Sequence, residues 1–251
     1  MPLKRFIRGA LHALGYEIHR LEPFREANPD VTDAEWKIWQ AMHPHSLASE
    51  ARTIALIRAV EHIVNNRIAG DMVECGVWRG GSSMTMALAL LECGDRARDL
   101  YLYDTFEGMT APTSDDVDYA GSTGASQLSS APRVADEANA WAISPLEDVR
   151  RNLAGTGYPP DKVHFVAGPV EQTIPNVAPE KIALLRLDTD WYESTLHELH
   201  HLYPRVVSGG IVIIDDYGHW QGAHKAVDEY FAGQSVFLQR IDYTGRLLVK
   251  R

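Results

Sequence analysis

The stretch DMVECGVWRGGSS, residues 71–83, decides how the rest of the chain is read. Met72, Val73 and Cys75 make a short apolar run, followed by Gly76, Gly80 and Gly81 and then by Ser82 and a Met-, Ala- and Leu-rich segment to Leu91. A buried strand that feeds a Gly-rich turn and a helix is the opening of a β–α unit. Glycines let backbone approach a ligand closely, and a helix start leaves N–H groups free for an anion. The spacing is not the GxGxxG of dinucleotide folds, so a turn with a purely structural role stays open beside a binding one.

Working outward, DLYLYD (99–104), KVHFVAG (162–168), KIALLRLD (181–188) and GGIVIIDD (209–216) read as further apolar strands. Helical spacing lies between them, at Ser82–Leu91, Tyr192–Leu202 and His224–Phe231. Ser144-Pro145-Leu146-Glu147 has the form of a capping box with Pro at the first helical position, starting a helix that runs to Leu153. SVFLQRI (235–241) and GRLLVKR (245–251), joined by a turn at Asp242–Gly245, read as an antiparallel pair. The expectation is an α/β, Rossmann-like fold: a mostly parallel seven-stranded sheet, helices on both faces, and the antiparallel pair at the C-terminal end. Upstream, a short helix is expected within Thr32–Met42 and a longer one from Ser46 or Ser49 to Asn65. Residues 105–144 show no sustained periodicity; a loop of that length is either a lid over the acceptor or a floppy insertion.

The first twenty residues differ from the rest. Leu3, Phe6, Ile7, Ala10, Leu11, Leu14 and Ile18 recur at helical spacing, with Lys4, Arg5, Arg8 and Arg20 between them. Such a basic amphipathic helix packs on its own domain, on a second copy in a homo-oligomer, or on an anionic membrane surface. The expected division is therefore 1–45 as N-terminal helix and cap segment, and 46–251 as the main domain with 105–144 as its lid.

Composition narrows the function. Among 251 residues, 24 Lys and Arg stand against 34 Asp and Glu, a net charge of −10, which disfavours nucleic acid as a partner. Two cysteines, Cys75 and Cys93, are too few for a disulfide framework and fit a reducing, cytoplasmic setting, at the membrane periphery if the N-terminal helix binds lipid.

Ligands of open parallel sheets bind beyond the carboxyl ends of the strands. Those ends carry Glu74-Cys75-Gly76, Asp104, Gly168, Asp188 and Asp215-Asp216, so four of five deliver an acid to one edge. Asp104 is placed to accept from a ribose diol, or else is a solvated loop acid. Asp188, Asp190, Asp215 and Asp216 would repel one another, and a bound cation relieves that most cheaply; Mg2+ suits oxygen ligands on an incomplete protein shell. The alternative is that Asp190 and Asp216 cap helices.

ECGVWRGGSS, LYDTFEGM, LRLDTDWYEST and GGIVIIDDYGHWQGAHKAVDEYF, in that order, resemble the macrocin O-methyltransferase (TylF) family over roughly residues 47–250. The resemblance implies a class I methyltransferase fold and an enzyme that methylates sugar hydroxyls of natural products with S-adenosylmethionine and Mg2+. Carried over residue by residue, it implies that Glu74, Gly76, Gly80, Gly81 and Ser82 hold the methionine part of S-adenosylmethionine and Asp104 its ribose. Gly168 and Val170 would lie near the adenine; Asp188, Asp215 and Asp216 would hold Mg2+, and Asp190 would take the hydroxyl proton. Tyr217, His219 and Trp220, next to the metal pair, are expected to contact an acceptor that is a sugar-bearing small molecule or a glycolipid. Two rivals stay open here: a glycosyltransferase using Asp188-Thr189-Asp190 as a DxD motif, and a non-catalytic partner protein on a methyltransferase fold.

Overall fold

Five apolar runs pair side by side as parallel strands: β1 (Asp71–Cys75), β2 (Leu100–Asp104), β3 (Val163–Ala167), β4 (Ile182–Leu187) and β5 (Val206–Ile214). They are seen in a computed structural model that describes residues 28–135 and 140–251. Near the C-terminus, β6 (Gln239–Arg240) pairs antiparallel with β7 (Arg246–Val249), which pairs antiparallel with β5. The sheet order is β3-β2-β1-β4-β5-β7-β6. Asp33–Arg251 form one unit and the chain up to Thr32 another. The basic amphipathic helix read in the first twenty residues lies outside the described residues.

Alternation along the strands divides two cores. Met72, Leu102, Leu184 and Ile213 face α1 (Asp33–Met42), α2 (Glu50–Asn65), α3 (Gly81–Glu92) and α5 (Leu146–Ala154). Val73, Tyr103, Leu185 and Val212 face the other way, packing with residues of α6 (Val170–Thr173), α7 (Tyr192–Leu202) and α8 (Gln221–Tyr230). With both faces covered, β1 and β4 need no polar side, which is why their sequences read as near-continuous apolar runs. The order turns back on itself between β1 and β4, and a sheet of this type opens its ligand crevice at that switch point.

Several expectations shift in detail. Residues 105–144 are not uniformly irregular: α4 (Gly124–Ser130) forms there behind Thr123, whose Oγ1 accepts from Ser126 N, and Val117 bridges Thr123. Leu128 from this segment packs with Trp191, Trp220 and Ala223. Ser144 is not the cap of α5; Pro145 holds the N-cap position with no side-chain hydrogen bond. The strand read over 235–241 shrinks to Gln239–Arg240, as suits an exposed sheet edge. Among the described residues no helix is long and apolar enough to cross a membrane.

Candidate active site

At the switch point Gly76 leaves β1 with φ +82°, and a β-carbon there would sit 1.9 Å from the Asp188 carbonyl oxygen. Only glycine allows so close an approach in that left-handed conformation. A cleft of about 360 Å³ opens above this contact, within the range of small-molecule sites. It is lined by Glu74, Gly76, Gly81, Ser82, Asp104, Gly168 and Val170 on one side and by Asp188, Asp190, Asp215 and Asp216 on the other. Gly80 is not part of the lining; its α-carbon turns toward α5, where a β-carbon would meet Leu153 at 2.8 Å.

The acids on the glycine side are tied into the backbone around them. Asp104 Oδ2 accepts from Val77 N (2.7 Å) and Trp78 N (2.9 Å), and its Oδ1 accepts from Phe106 N (2.7 Å). Burial pushes its carboxyl above the usual range, and the three N–H donors oppose that. Asp104 therefore shapes the Gly-rich turn as well as facing the cleft. Glu74 is buried, accepts from Ser83 Oγ and from Arg186 Nη1 (2.7 Å), and is pushed up to about 7 by desolvation. Trp78 Nε1, in the cleft wall, is a buried donor without a hydrogen-bond partner. A buried donor left open costs about 1–3 kcal/mol, so its presence suits an acceptor atom on a bound ligand.

On the other side, one oxygen each of Asp188, Asp215 and Asp216 lie within 4.8 Å of one another. An all-carboxylate set at that spacing fits a hard divalent cation such as Mg2+. The protein also supplies cations of its own. Arg186 donates from Nη1 to Asp188 Oδ2 (2.6 Å) and from Nη2 to Asp215 Oδ1 (2.6 Å), besides its bond to Glu74. Arg52, from α2, donates to Asp215 Oδ2 and reaches Asp242 Oδ2 through Nε (3.1 Å). The repulsion that the sequence assigns to a bound cation is thus relieved in large part by two guanidinium groups. Neither arginine is singled out in the sequence reading. Arg186 had a visible signal: a charge inside an otherwise apolar strand, two residues before Asp188 and so on the same face of the sheet. Arg52 had none, since 163 residues separate it from Asp215.

Asp190 stands at φ +67°, a conformation that costs an L-residue about 1–3 kcal/mol and is kept only where the surroundings enforce it. Its N–H donates to Asp216 Oδ2 (3.2 Å), and Asp216 and Trp220 beside its carboxyl favour the charged form. Burial, then the charge of Asp188, lift Asp190 to about 7; burial and Asp190 lift Asp216 as well. The helix-cap role left open for Asp190 is filled otherwise: Tyr192 N, at the start of α7, donates to Asp116 Oδ1 at 2.7 Å.

Of the three aromatic positions, His219 and Trp220 line the cleft and Tyr217 does not. The Tyr217 hydroxyl donates to Asp228 Oδ1 (2.9 Å) and its ring lies under Arg246, 4.9 Å away. Tyr243 and Met109 join the lining from elements far away in sequence.

The comparisons with known proteins agree with this arrangement. The macrocin-O-methyltransferase (TylF) family model matches residues 15–250, extending the likeness well upstream of residue 47. The chain is 35% identical over 222 residues to the 8-demethyl-8-(2,3-dimethoxy-alpha-L-rhamnosyl)-tetracenomycin-C 4'-O-methyltransferase of Streptomyces olivaceus, covering 88% of this chain and 79% of that protein. It is 33% identical to the mycinamicin III 3''-O-methyltransferase of Micromonospora griseorubida, with 74% of this chain and 70% of that protein covered. Among solved structures it superposes on the O-methyltransferase NovP with a TM-score of 0.71 at 33% identity, over 82% of each chain.

Proposed function

The chain belongs to the macrocin-O-methyltransferase (TylF) family, and we propose that it moves a methyl group from S-adenosylmethionine to a sugar hydroxyl of a glycosylated natural product, with Mg2+ in the acid cluster. One observation carries this reading: the backbone contact between Gly76 and Asp188 joins a Gly-rich cradle to a cluster of carboxylates in one cleft. The names of two relatives support the acceptor class, since one specifies a rhamnosyl-bearing compound and both an O-methyl transfer. Membership of a methyltransferase family displaces the nucleotide-sugar reading of Asp188-Thr189-Asp190.

Glu74, Gly76, Gly81 and Ser82 would receive the methionine end of the cofactor, Asp104 its ribose, and Gly168 and Val170 the adenine. S-adenosylmethionine supplies a methyl group on a positively charged sulfur, which leaves as a neutral thioether. Asp188, Asp215 and Asp216 would hold Mg2+, which lends acidity to a bound hydroxyl. Asp190 would accept the proton of the reacting hydroxyl, and its raised proton affinity suits that task near neutral pH. Arg186 and Arg52 keep the carboxylates clustered before any ligand arrives.

We also assign residues 105–144 as the lid. Thr105, Gly108, Met109, Thr110 and Ala142 line the cleft, and Trp191 Nε1 donates to Thr110 O at 3.1 Å. Protection of this segment from protease by S-adenosylhomocysteine is expected; equal cleavage with and without it would remove the assignment.

The direct test is incubation with methyl-labelled S-adenosylmethionine and a panel of glycosylated natural products, with and without EDTA, followed by mass spectrometry. Label on a sugar oxygen, lost with EDTA and restored by Mg2+, is expected. Label elsewhere would overturn the acceptor class, and labelling indifferent to EDTA would overturn the metal.

A further inference from the structure

Beside Trp220 the cleft-lining His219 and Tyr243 meet Tyr119, which lies just outside the lining, in a group of rings that the reaction itself does not need. Tyr119 and Tyr243 are 69% and 53% exposed, far above what rings of this size show in a folded interior. They meet His219 between them: ring centroids are 5.4 Å apart for Tyr119 and His219, 6.0 Å for His219 and Tyr243, and 6.1 Å for Tyr119 and Tyr243, all edge to face. His219 in turn stands edge-on to Trp220 at 5.1 Å, and Trp220 and Asp190 both line the cleft. A row of rings therefore leads from Trp220 in the cleft lining to solvent.

The three rings come from three chain segments, and backbone bonds join those segments. Tyr119 N donates to His219 O (2.8 Å), Gln221 N to Val117 O (2.8 Å) and Gly218 N to Thr244 O (2.9 Å). The Tyr243 hydroxyl lies 3.2 Å from His219 Nδ1, so these two polar atoms satisfy each other. The group thus presents aromatic ring surface to solvent on segments joined by backbone bonds. A sugar whose hydroxyl reacts must address Asp188, Asp190 and Asp216 with its polar edge. The rings lie outside those acids, where the part of the acceptor that does not react would emerge.

We infer that Tyr119, His219 and Tyr243 form a subsite that stacks the flat apolar ring system carrying the reacting sugar. The inference rests on the sugar O-methylation reading of the cleft and adds to it the residues that select the aglycone. Aromatic contacts beyond simple burial are worth about 0.5–1.5 kcal/mol per pair, so two lost rings correspond to roughly a 5- to 150-fold loss of affinity.

The test compares 4-methylumbelliferyl α-L-rhamnopyranoside with methyl α-L-rhamnopyranoside, the same sugar with and without a flat aglycone. Dissociation constants are measured by calorimetry on the full chain with Mg2+ and S-adenosylhomocysteine present, in the wild type and in a Tyr119→Ala/Tyr243→Ala variant whose melting temperature verifies its fold. The wild type is expected to bind the umbelliferyl glycoside at least about fivefold more tightly than the methyl glycoside, and the variant to bring that ratio near one. Equal affinities in the wild type, binding of neither probe, or a ratio that survives in the variant would overturn the subsite. Methyl transfer is assayed separately: transfer without an aglycone preference removes the subsite and leaves the function, whereas a preference without transfer removes the function and leaves the subsite.

Discussion

Changing Arg186 to Met keeps much of the side-chain volume in the middle of β4 and deletes the guanidinium that spans Glu74, Asp188 and Asp215. The side chain is 4% exposed, Glu74 1% and Asp215 2%, so water cannot take over the bonds lost by those two carboxylates. Breaking a buried ion pair from one side costs about 3–5 kcal/mol, because the charge left behind stays buried. For a domain of this size each kcal/mol lowers Tm by roughly 2–4 °C, which puts the expected fall at about 6–20 °C. The assay is thermal unfolding of both proteins in EDTA, followed by a Mg2+ titration. Mg2+ is expected to raise the Tm of the variant more than that of the wild type, since it meets a cluster lacking one of its cations. An Arg186→Met protein that melts within 2 °C of wild type in EDTA would refute the role given to Arg186.

Four further outcomes follow from the same geometry. Asp190→Asn is expected to retain S-adenosylhomocysteine binding and to lose roughly 10²–10⁴-fold in kcat, the usual worth of a general base. With Asp190 raised to about 7 the protonated, inactive form prevails below that pH, so kcat/KM in the wild type should climb with pH through the acid limb and level off above it. A bound divalent cation can only move that limb to lower pH, and a limb well above 7 would contradict the assignment. Arg52→Gln removes a positive charge from Asp215 and should tighten Mg2+ binding on the order of tenfold by calorimetry. Gly76→Ala forces a β-carbon against the Asp188 carbonyl, so it should abolish the rise in Tm that S-adenosylhomocysteine produces, an effect worth about 2.7 kcal/mol at a hundredfold excess over Kd.

The features legible in the sequence were those with a local signature. Apolar runs ending in acids located β1, β2, β4 and β5 and put their acids on one edge before any strand order was known. The order itself, with β4 beside β1, depends on crossovers that no local pattern encodes. Glu74 and Arg186 are direct cross-strand partners in that order, so their pairing became visible only with the register. In residues 105–144 the helix α4 escaped notice because GASQLSS has little apolar periodicity; it is held by Leu128 packing against Trp191 and Trp220. Tyr243 could not be linked to the cleft from sequence, since it arrives on the turn between β6 and β7.

The contact between Gly76 and Asp188 also bears on how such an enzyme diversifies. It makes the donor cradle and the acid cluster one rigid frame, whose relative placement is set by the pairing of β1 with β4. Methyl transfer tolerates little misalignment of the reacting atoms, and here alignment is the business of the sheet. The side chains of Tyr119, His219 and Tyr243 point from loops outside the strands, where substitution leaves the strand pairing untouched. New acceptors can therefore be acquired by redrawing the rim while the reaction coordinate stays where the strands put it.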